Sequence, residues 1–362
     1  MRGKVVLSTG GHSGCGLECV RWLAQGVKRI YLLGRSISAM KASIEKLKNE
    51  VGAERWLADI LYIQCDLANL DAVQNAAKEF FVMEALMLEA DSLNLPAPSV
   101  GLDLLFLNAG IYTHRPETKT DDGFDLMWGV NCLAHHALLR YLMPALQHSA
   151  RAARTNANDA RLDGGSNQRF VDRSPRVLWT GSIAHTWLVS PAKSYYPPEV
   201  KLRSWNPAGP YARSKASNLL DMYYCLPTLT EAGIVGTVVH PGVLYTPIQR
   251  EFERDWQQRG IAALLAPQSL GCVNLLWTAF IASAEEVHGG YITQWCRMGK
   301  VTKMVRDGEL IRRHGEFMDQ IVDGIFQTAE EPSHEQSFHN GKVPDEQVER
   351  KGVVRRRKTP SQ

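Results

Sequence analysis

Tyr211 and Lys215 stand four residues apart in Tyr-Ala-Arg-Ser-Lys. On a helix that spacing puts both side chains on one face. A phenol with a pKa of ~10 is a poor base at neutral pH, and an ammonium beside it stabilises the phenolate and lowers that pKa. Such a pair can give a proton to a carbonyl oxygen or remove one from an alcohol. Pairs of this kind also arise by chance in helices, so the surrounding residues decide the reading.

A second group is the loop Thr9-Gly10-Gly11-His12-Ser13-Gly14-Cys15-Gly16. It lies between a short apolar run and a segment of helical spacing. Glycines there allow a tight turn and a close approach of backbone to a pyrophosphate, and the helix N-terminus adds N–H groups and partial positive charge. A tight turn without a ligand is the plain alternative. About 20 residues further on, an NAD site places a carboxylate against the ribose hydroxyls. Here that place holds Gly34-Arg35-Ser36. No carboxylate repels a 2′-phosphate, and a guanidinium pairs with one. The expected cofactor is NADP(H) rather than NAD(H); the alternative is that Arg35 only packs over the adenine.

The elements that must position these groups alternate. Apolar runs predict strands at Val5–Ser8, Arg29–Leu33, Leu61–Gln64, Leu102–Leu107, Arg176–Thr180 and Ile234–Val239, with an edge strand at Gly290–Thr293. Helical patterns fall at Gly16–Gln25, Met40–Val51, Asp71–Leu88, Asp125–Leu146, Tyr211–Thr230 and Gln268–Ala282. Alternation of this kind implies an α/β fold: a doubly wound parallel sheet with helices on both faces, three layers in one domain. Ligands in such sheets sit beyond the carboxyl ends of the strands.

Composition narrows the class. The chain has 362 residues, 44% apolar and 22% charged, with a formal net charge of +3. This is a globular balance with no global argument for nucleic-acid binding. The cysteines number seven and hold no Cys-x-x-Cys, so neither a disulfide framework nor a metal is expected. Cys15 and Cys19 read as packed thiols. The run Ile261–Ala282 carries no charge, but Pro267, Gln268, Ser269, Gly271 and Asn274 interrupt it. It reads as a loop and a packed helix, with a peripheral membrane contact as the alternative. The first apolar run begins so early that no signal or transit peptide is expected, which points to the cytoplasm. Ser149–Pro175, rich in Arg, Asn, Asp and Gly, reads as an inserted surface loop. Ser190–Pro210 reads as an ordered aromatic loop, and Glu330–Gln362 as a disordered tail with a basic end.

At this point the sequence resembles the short-chain dehydrogenase/reductase superfamily. Its Thr-Gly-x-x-x-Gly-x-Gly fingerprint is met by Thr9–Gly16, followed in order by Asn108-Ala109-Gly110 and Tyr211-x-x-x-Lys215. The match covers roughly residues 4 to 295. The resemblance implies a Rossmann-type fold and a catalytic set of Ser182, Tyr211, Lys215 and Asn131. Ser182 would hydrogen-bond the reacting oxygen, and Asn131 would hold a water relay to Lys215. Tyr211 and Lys215 would also contact the cofactor, Lys215 at the nicotinamide ribose. Cofactor contacts would come from Thr9, Gly10, His12, Ser13, Gly14, Gly16, Arg35, Ser36, Asp66, Leu67, Asn108, Ala109, Gly110, Pro241, Gly242, Val243 and Thr246. Substrate contacts are expected at Ile183, His185 and Tyr245, a surface role being the alternative for His185. His135 and His136 are adjacent and face different ways, so packing is expected of them. His12, Cys15 and Ala134-His135-His136 depart from the family's usual residues without removing a catalytic group.

Asp121-Asp122-Gly123-Phe124, Ser182-Ile183-Ala184-His185, Tyr211–Asn218 and the late helix Gly308–Val322 look like the retinol dehydrogenase-like group, with protochlorophyllide and 3-keto-steroid reductases as relatives. The resemblance implies NADP(H), delivery of the 4-pro-S hydride, and a bulky apolar carbonyl or alcohol: a retinoid, a steroid, a polyketide or a similar metabolite. The rival reading is an NADP(H)-binding interaction protein that uses the inserted loop and basic tail. Domain limits are expected at 1–298 for the cofactor-binding domain, 299–328 for a helical extension and 329–362 for the tail. Whether the chain is a monomer or a homodimer stays open.

Overall fold

The computed structural model describes residues 1–91, 100–113, 115, 118–160, 170–171, 173–187, 208–244 and 265–324. Eight strands form one sheet in the order β3-β2-β1-β4-β5-β6-β7-β8. They are β1 (Val5–Thr9), β2 (Arg29–Gly34), β3 (Asp59–Gln64), β4 (Leu104–Leu107), β5 (Arg176–Thr180), β6 (Val235–Val239), β7 (Tyr291–Thr293) and β8 (Arg297–Met298). Every pairing is parallel except β7 with β8. β1, β4, β5 and β6 are buried along their whole length, as strands covered on both faces must be. The strand order reverses between β1 and β4. That switch point opens a crevice at the carboxyl edge of the sheet.

The helices are α1 (Gly14–Leu23), α2 (Ile37–Val51), α3 (Leu70–Asp91), α4 (Leu126–Trp128), α5 (Ala134–Ala160), α6 (Ala208–Ala232), α7 (Gly271–Phe280), α8 (Ala284–Val287) and α9 (Gly308–Val322). Two apolar cores flank the sheet. One joins it to α3, α5 and α6 through Phe80, Leu138, Leu142, Leu219 and Leu220. The other joins it to α1, α2 and α7 through Val20, Leu23, Ile44, Leu47 and Leu275. A smaller cluster packs Phe317, Met318 and Ile321 of α9 on Phe124, Trp128 and Leu133. Met1–Thr328 thus forms one compact unit that includes α9.

Four expectations change. Tyr291–Thr293 is not the edge strand, because Arg297–Met298 pairs antiparallel outside it. The helix expected over Asp125–Leu146 is broken by a π turn at Gly129–Leu133, where Ala134 N–H reaches back to the Gly129 carbonyl. The inserted segment does not begin as a loop: α5 runs on to Ala160, since Ala150 and Ala153 continue its buried stripe. The helix expected from Gln268 opens with a short 3₁₀ turn, Gln268–Leu270, and ends at Phe280. The rest of the inserted segment (161–169), most of the aromatic loop (188–207) and the tail (329–362) lie outside the described residues. No helix among the described residues is long and apolar enough to cross a membrane.

Candidate active site

The carboxyl ends of β1, β4, β5 and β6 bring together segments more than a hundred residues apart. Lys215 is buried on α6, and its ammonium donates to the Thr180 carbonyl at 2.9 Å. Burial lowers its pKa to about 8. Tyr211, one turn earlier, has its ring centroid 5.8 Å from Lys215 Nζ and packs edge-to-face on Tyr112 at 5.4 Å. Burial raises the Tyr211 phenol to about 12, opposed by a hydrogen bond with the Ser182 hydroxyl. The expectation that Lys215 lowers the phenol pKa therefore needs correction. Desolvation is the largest cause, and Ser182, not Lys215, is the group that pulls the other way.

Ser182 follows β5, and its Oγ also accepts the Ala184 N–H at 3.1 Å. Asn131 lies inside the π turn, a distortion often found at functional sites. Its Oδ1 accepts the Ile111 N–H at 2.8 Å, and its Nδ2 donates to the Ile111 carbonyl at 3.0 Å and to Ser214 Oγ at 2.9 Å. Gly110 lies where the site converges. A Cβ there would come within 3.3 Å of Lys215 Nζ and 3.5 Å of Asn131 Oδ1.

His135 joins this set to the glycine loop. A carbonyl can only accept, so the bond at 3.1 Å to the Asn131 carbonyl assigns the ring proton to Nδ1. Nε2 then accepts from the Thr9 hydroxyl at 2.9 Å, while Thr9 Oγ1 accepts the Asn108 and Ala109 N–H groups, both at 2.9 Å. Burial, with Lys215 second, lowers His135 to about 4, which matches this neutral tautomer. Packing describes His135 only in part, since it links two segments of the site. His136 points elsewhere, to Asp221 at 2.7 Å and Asp319 at 3.0 Å.

The glycine loop has the shape a dinucleotide needs. Gly10 and Gly14 take left-handed backbones, with φ of 65° and 53°. A Cβ on Gly16 would sit 2.5 Å from the Gly10 carbonyl and 2.6 Å from Asn108 Nδ2. Ser13 caps α1 without a side-chain bond, and no acid stands in the first turn. Those N–H groups therefore face the crevice with no carboxylate to compete for an anion. At the end of β2, Arg35 and Ser36 are exposed, and Ser36 Oγ caps α2 through Ala39 N–H at 3.2 Å. His12 Nδ1 is buried without a partner, and the ring lies over Gly34. Asp66 Oδ1 accepts the Ala68 N–H at 3.0 Å beside Leu67. The tight glycine turn and a helix start free of acidic residues leave a cradle that a dinucleotide's phosphates would fit.

Pro241, Gly242 and Val243 follow β6 at the same edge, with Gly242 at φ 118° against the Gln294 side chain. Ile183 is exposed there, whereas His185 is fully buried rather than at the surface. Tyr245 and Thr246 lie outside the described residues. Cys15 Sγ packs against Gly271 at the start of α7, and burial raises its thiol to about 12. Three contributors were not anticipated: Ser214, Tyr112 and the Ile111 backbone. The first was within reach, since Ser214 is one turn from Tyr211 on the same helix face.

The short chain dehydrogenase family matches residues 4–155. A short-chain dehydrogenase/reductase of Armillaria gallica is 28% identical over 320 residues, 88% of this chain and 90% of the relative. Retinol dehydrogenase 12 of Mus musculus is 27% identical over 298 residues, 82% of this chain and 79% of the relative. Among solved structures, the NADPH-bound carbonyl reductase from chicken fatty liver superposes with a TM-score of 0.56 at 17% identity, covering 83% of this chain and 100% of that one. Fold and sequence define a Rossmann-type NAD(P)-dependent oxidoreductase. The chain belongs to the short-chain dehydrogenase/reductase superfamily and so acts at CH–OH or C=O groups.

Proposed function

We propose that the protein is an NADP(H)-dependent carbonyl reductase, reversible in principle, for a bulky apolar ketone or aldehyde of retinoid, steroid or polyketide type. The observation that carries this reading is the convergence of Ser182, Tyr211 and Lys215 at one end of the sheet, with the phenol held protonated. When bound, the nicotinamide supplies the hydride that reduces the carbonyl carbon. Tyr211, protonated at neutral pH, gives its proton to the carbonyl oxygen. Ser182 hydrogen-bonds that oxygen as charge develops on it. The Lys215 ammonium, at about 8, is more acidic than the phenol at about 12 and can restore its proton. Asn131 and Ser214 hold the α6 face that carries the pair.

Arg35 and Ser36, with no carboxylate at the end of β2, favour the 2′-phosphate of NADP(H). The NADPH of the chicken carbonyl reductase and the retinol dehydrogenase relatives agree with this choice of cofactor and substrate class. The test is an NADPH-consumption screen of steroid, retinoid, quinone and polyketide carbonyls with the wild type and Tyr211→Phe. The variant is expected to lose turnover by three orders of magnitude or so while NADPH binding holds, because only the proton donor is removed. A wild type that oxidises NADPH with none of these carbonyls would overturn the reading.

A further inference from the structure

Behind Ser182 lie three buried side chains that the proposed reaction does not use. His185 is 0% exposed, Tyr291 2% and His240 4%. His185 Nε2, His240 Nε2 and the Tyr291 hydroxyl are all buried without a protein partner. Their placement follows from the sheet. Tyr291 is paired with Val238 on β6, and its ring lies against Gly181, where a Cβ would come within 3.3 Å of Cε2. The His185 ring stands edge-on to the Tyr291 ring, with centroids 4.9 Å apart. His240 follows β6 directly, and its N–H donates to the Ile292 carbonyl at 2.8 Å.

The remaining ring nitrogens assign the tautomers. His185 Nδ1 lies 2.7 Å from the Ser182 carbonyl, which only accepts, so Nδ1 bears the proton and Nε2 is an acceptor. His240 Nδ1 accepts the Gly242 N–H at 3.4 Å, so its Nε2 carries the proton and is a donor. The three groups are thus one acceptor, one donor and one hydroxyl able to act as either. Burial lowers both histidines, His240 to about 4, which agrees with neutral rings.

We propose that His185 is a positioning residue for the Ser182 hydroxyl, its ring seated against Tyr291 with Nδ1 donating to the Ser182 carbonyl. His185 grips the Ser182 carbonyl twice, through its backbone N–H at 3.3 Å and its ring at 2.7 Å. That grip closes the 3₁₀ turn Ile183–Trp187 and fixes the direction of Ser182 Oγ toward Tyr211. A rotation of that backbone misaims a donor whose worth depends on its geometry.

The inference rests on the role given to Ser182, and the experiment separates the two. Full-length wild type, His185→Leu, His185→Asn, Ser182→Ala and Ser182→Ala/His185→Leu are assayed for NADPH-linked reduction of the panel carbonyl with the highest turnover. His185→Leu is expected to lower kcat about tenfold with the KM for NADPH unchanged. His185→Asn restores a donor at the δ position and is expected to recover most of the loss. In the Ser182→Ala background His185→Leu should have no further effect. An additive double variant, or a His185→Asn as impaired as His185→Leu, overturns the inference. If Ser182→Ala itself keeps full kcat, the reading of Ser182 fails instead. Histidine ¹⁵N shifts of the wild type give a readout apart from activity: His185 should show the Nδ1–H tautomer and His240 the Nε2–H tautomer, and the reverse assignment overturns the inference.

Discussion

On the proposed reading, Arg35 carries the choice of cofactor on a single charge. It is exposed at the carboxyl end of β2, next to Ser36, which is occupied in capping α2. A guanidinium paired with a phosphate is worth ~1.5–3 kcal/mol, or roughly one to two orders of magnitude in affinity. Arg35→Asp replaces attraction by repulsion and supplies the carboxylate that ribose hydroxyls favour. The ratio of kcat/KM for NADPH over NADH should fall by tenfold or more. An unchanged ratio, measured with one carbonyl and both cofactors, would sink the assignment of Arg35. The same scale explains the phenol. Burial raises the Tyr211 phenol, and this keeps it protonated for the proton transfer proposed above.

Helix α9 shows what an element contributes beyond its residues. Asp307 caps it through the Leu310 N–H at 2.9 Å, and its apolar stripe covers Trp128 beside the π turn. Polar contacts lock the other face. Arg140 pairs with Asp319 at 3.0 Å and with Asp323 at 2.9 Å, and the Tyr224 hydroxyl donates to Asp319. Gly315 is the contact point, since the Tyr224 ring fills the space a Cβ would need. In an exposed helix Gly→Ala stabilises by ~0.5–1 kcal/mol. Gly315→Ala should do the reverse and cost ~1–3 kcal/mol, because helix and ring are forced apart. Urea unfolding of the full chain measures the sign, and a more stable variant would contradict this packing.

At the scale of the molecule, buried histidines set the pH dependence of stability in opposite directions. Burial lowers His135, His240 and His314 to about 4 from 6.5. Between those values the unfolded chain binds protons that the folded chain refuses, so stability falls as pH drops from 6.5 toward 4. His136 is the reverse case. Burial alone would lower it, but Asp221 and Asp319 on either side hold it at about 9. Its stabilisation is complete below pH 6.5 and is lost as pH rises toward 9. Two and a half pH units correspond to at most ~3 kcal/mol. Stability should peak near pH 6.5, and His136→Gln should flatten the alkaline limb while lowering the maximum. Urea midpoints from pH 4 to 9 test this, and an unchanged alkaline limb would reject the imidazolium. Lys215 acts only above pH 8, where its lowered pKa makes stability rise with pH.

Much of this could be read one residue after another. The apolar runs of β1, β2 and β5, the glycine loop, the helix spacing of Tyr211 and Lys215 and the limits of α9 are all local patterns. Residues a few positions apart are enough to reveal them. Long-range contacts remained hidden, because each joins residues with no mutual signal along the chain. The Asn131 bonds to Ile111 and Ser214, the His135 bond to Thr9 and the antiparallel strand outside β7 are of this kind. Proton affinity was hidden for the same reason. Type and spacing mark Tyr211 and Lys215 as a candidate proton-transfer pair, but burial in the folded core raises the phenol to about 12 and lowers the amine to about 8. His185 is the sharpest instance: its sequence position allowed either a pocket or a surface, and packing against Tyr291 buried it beneath Ser182 rather than at the surface.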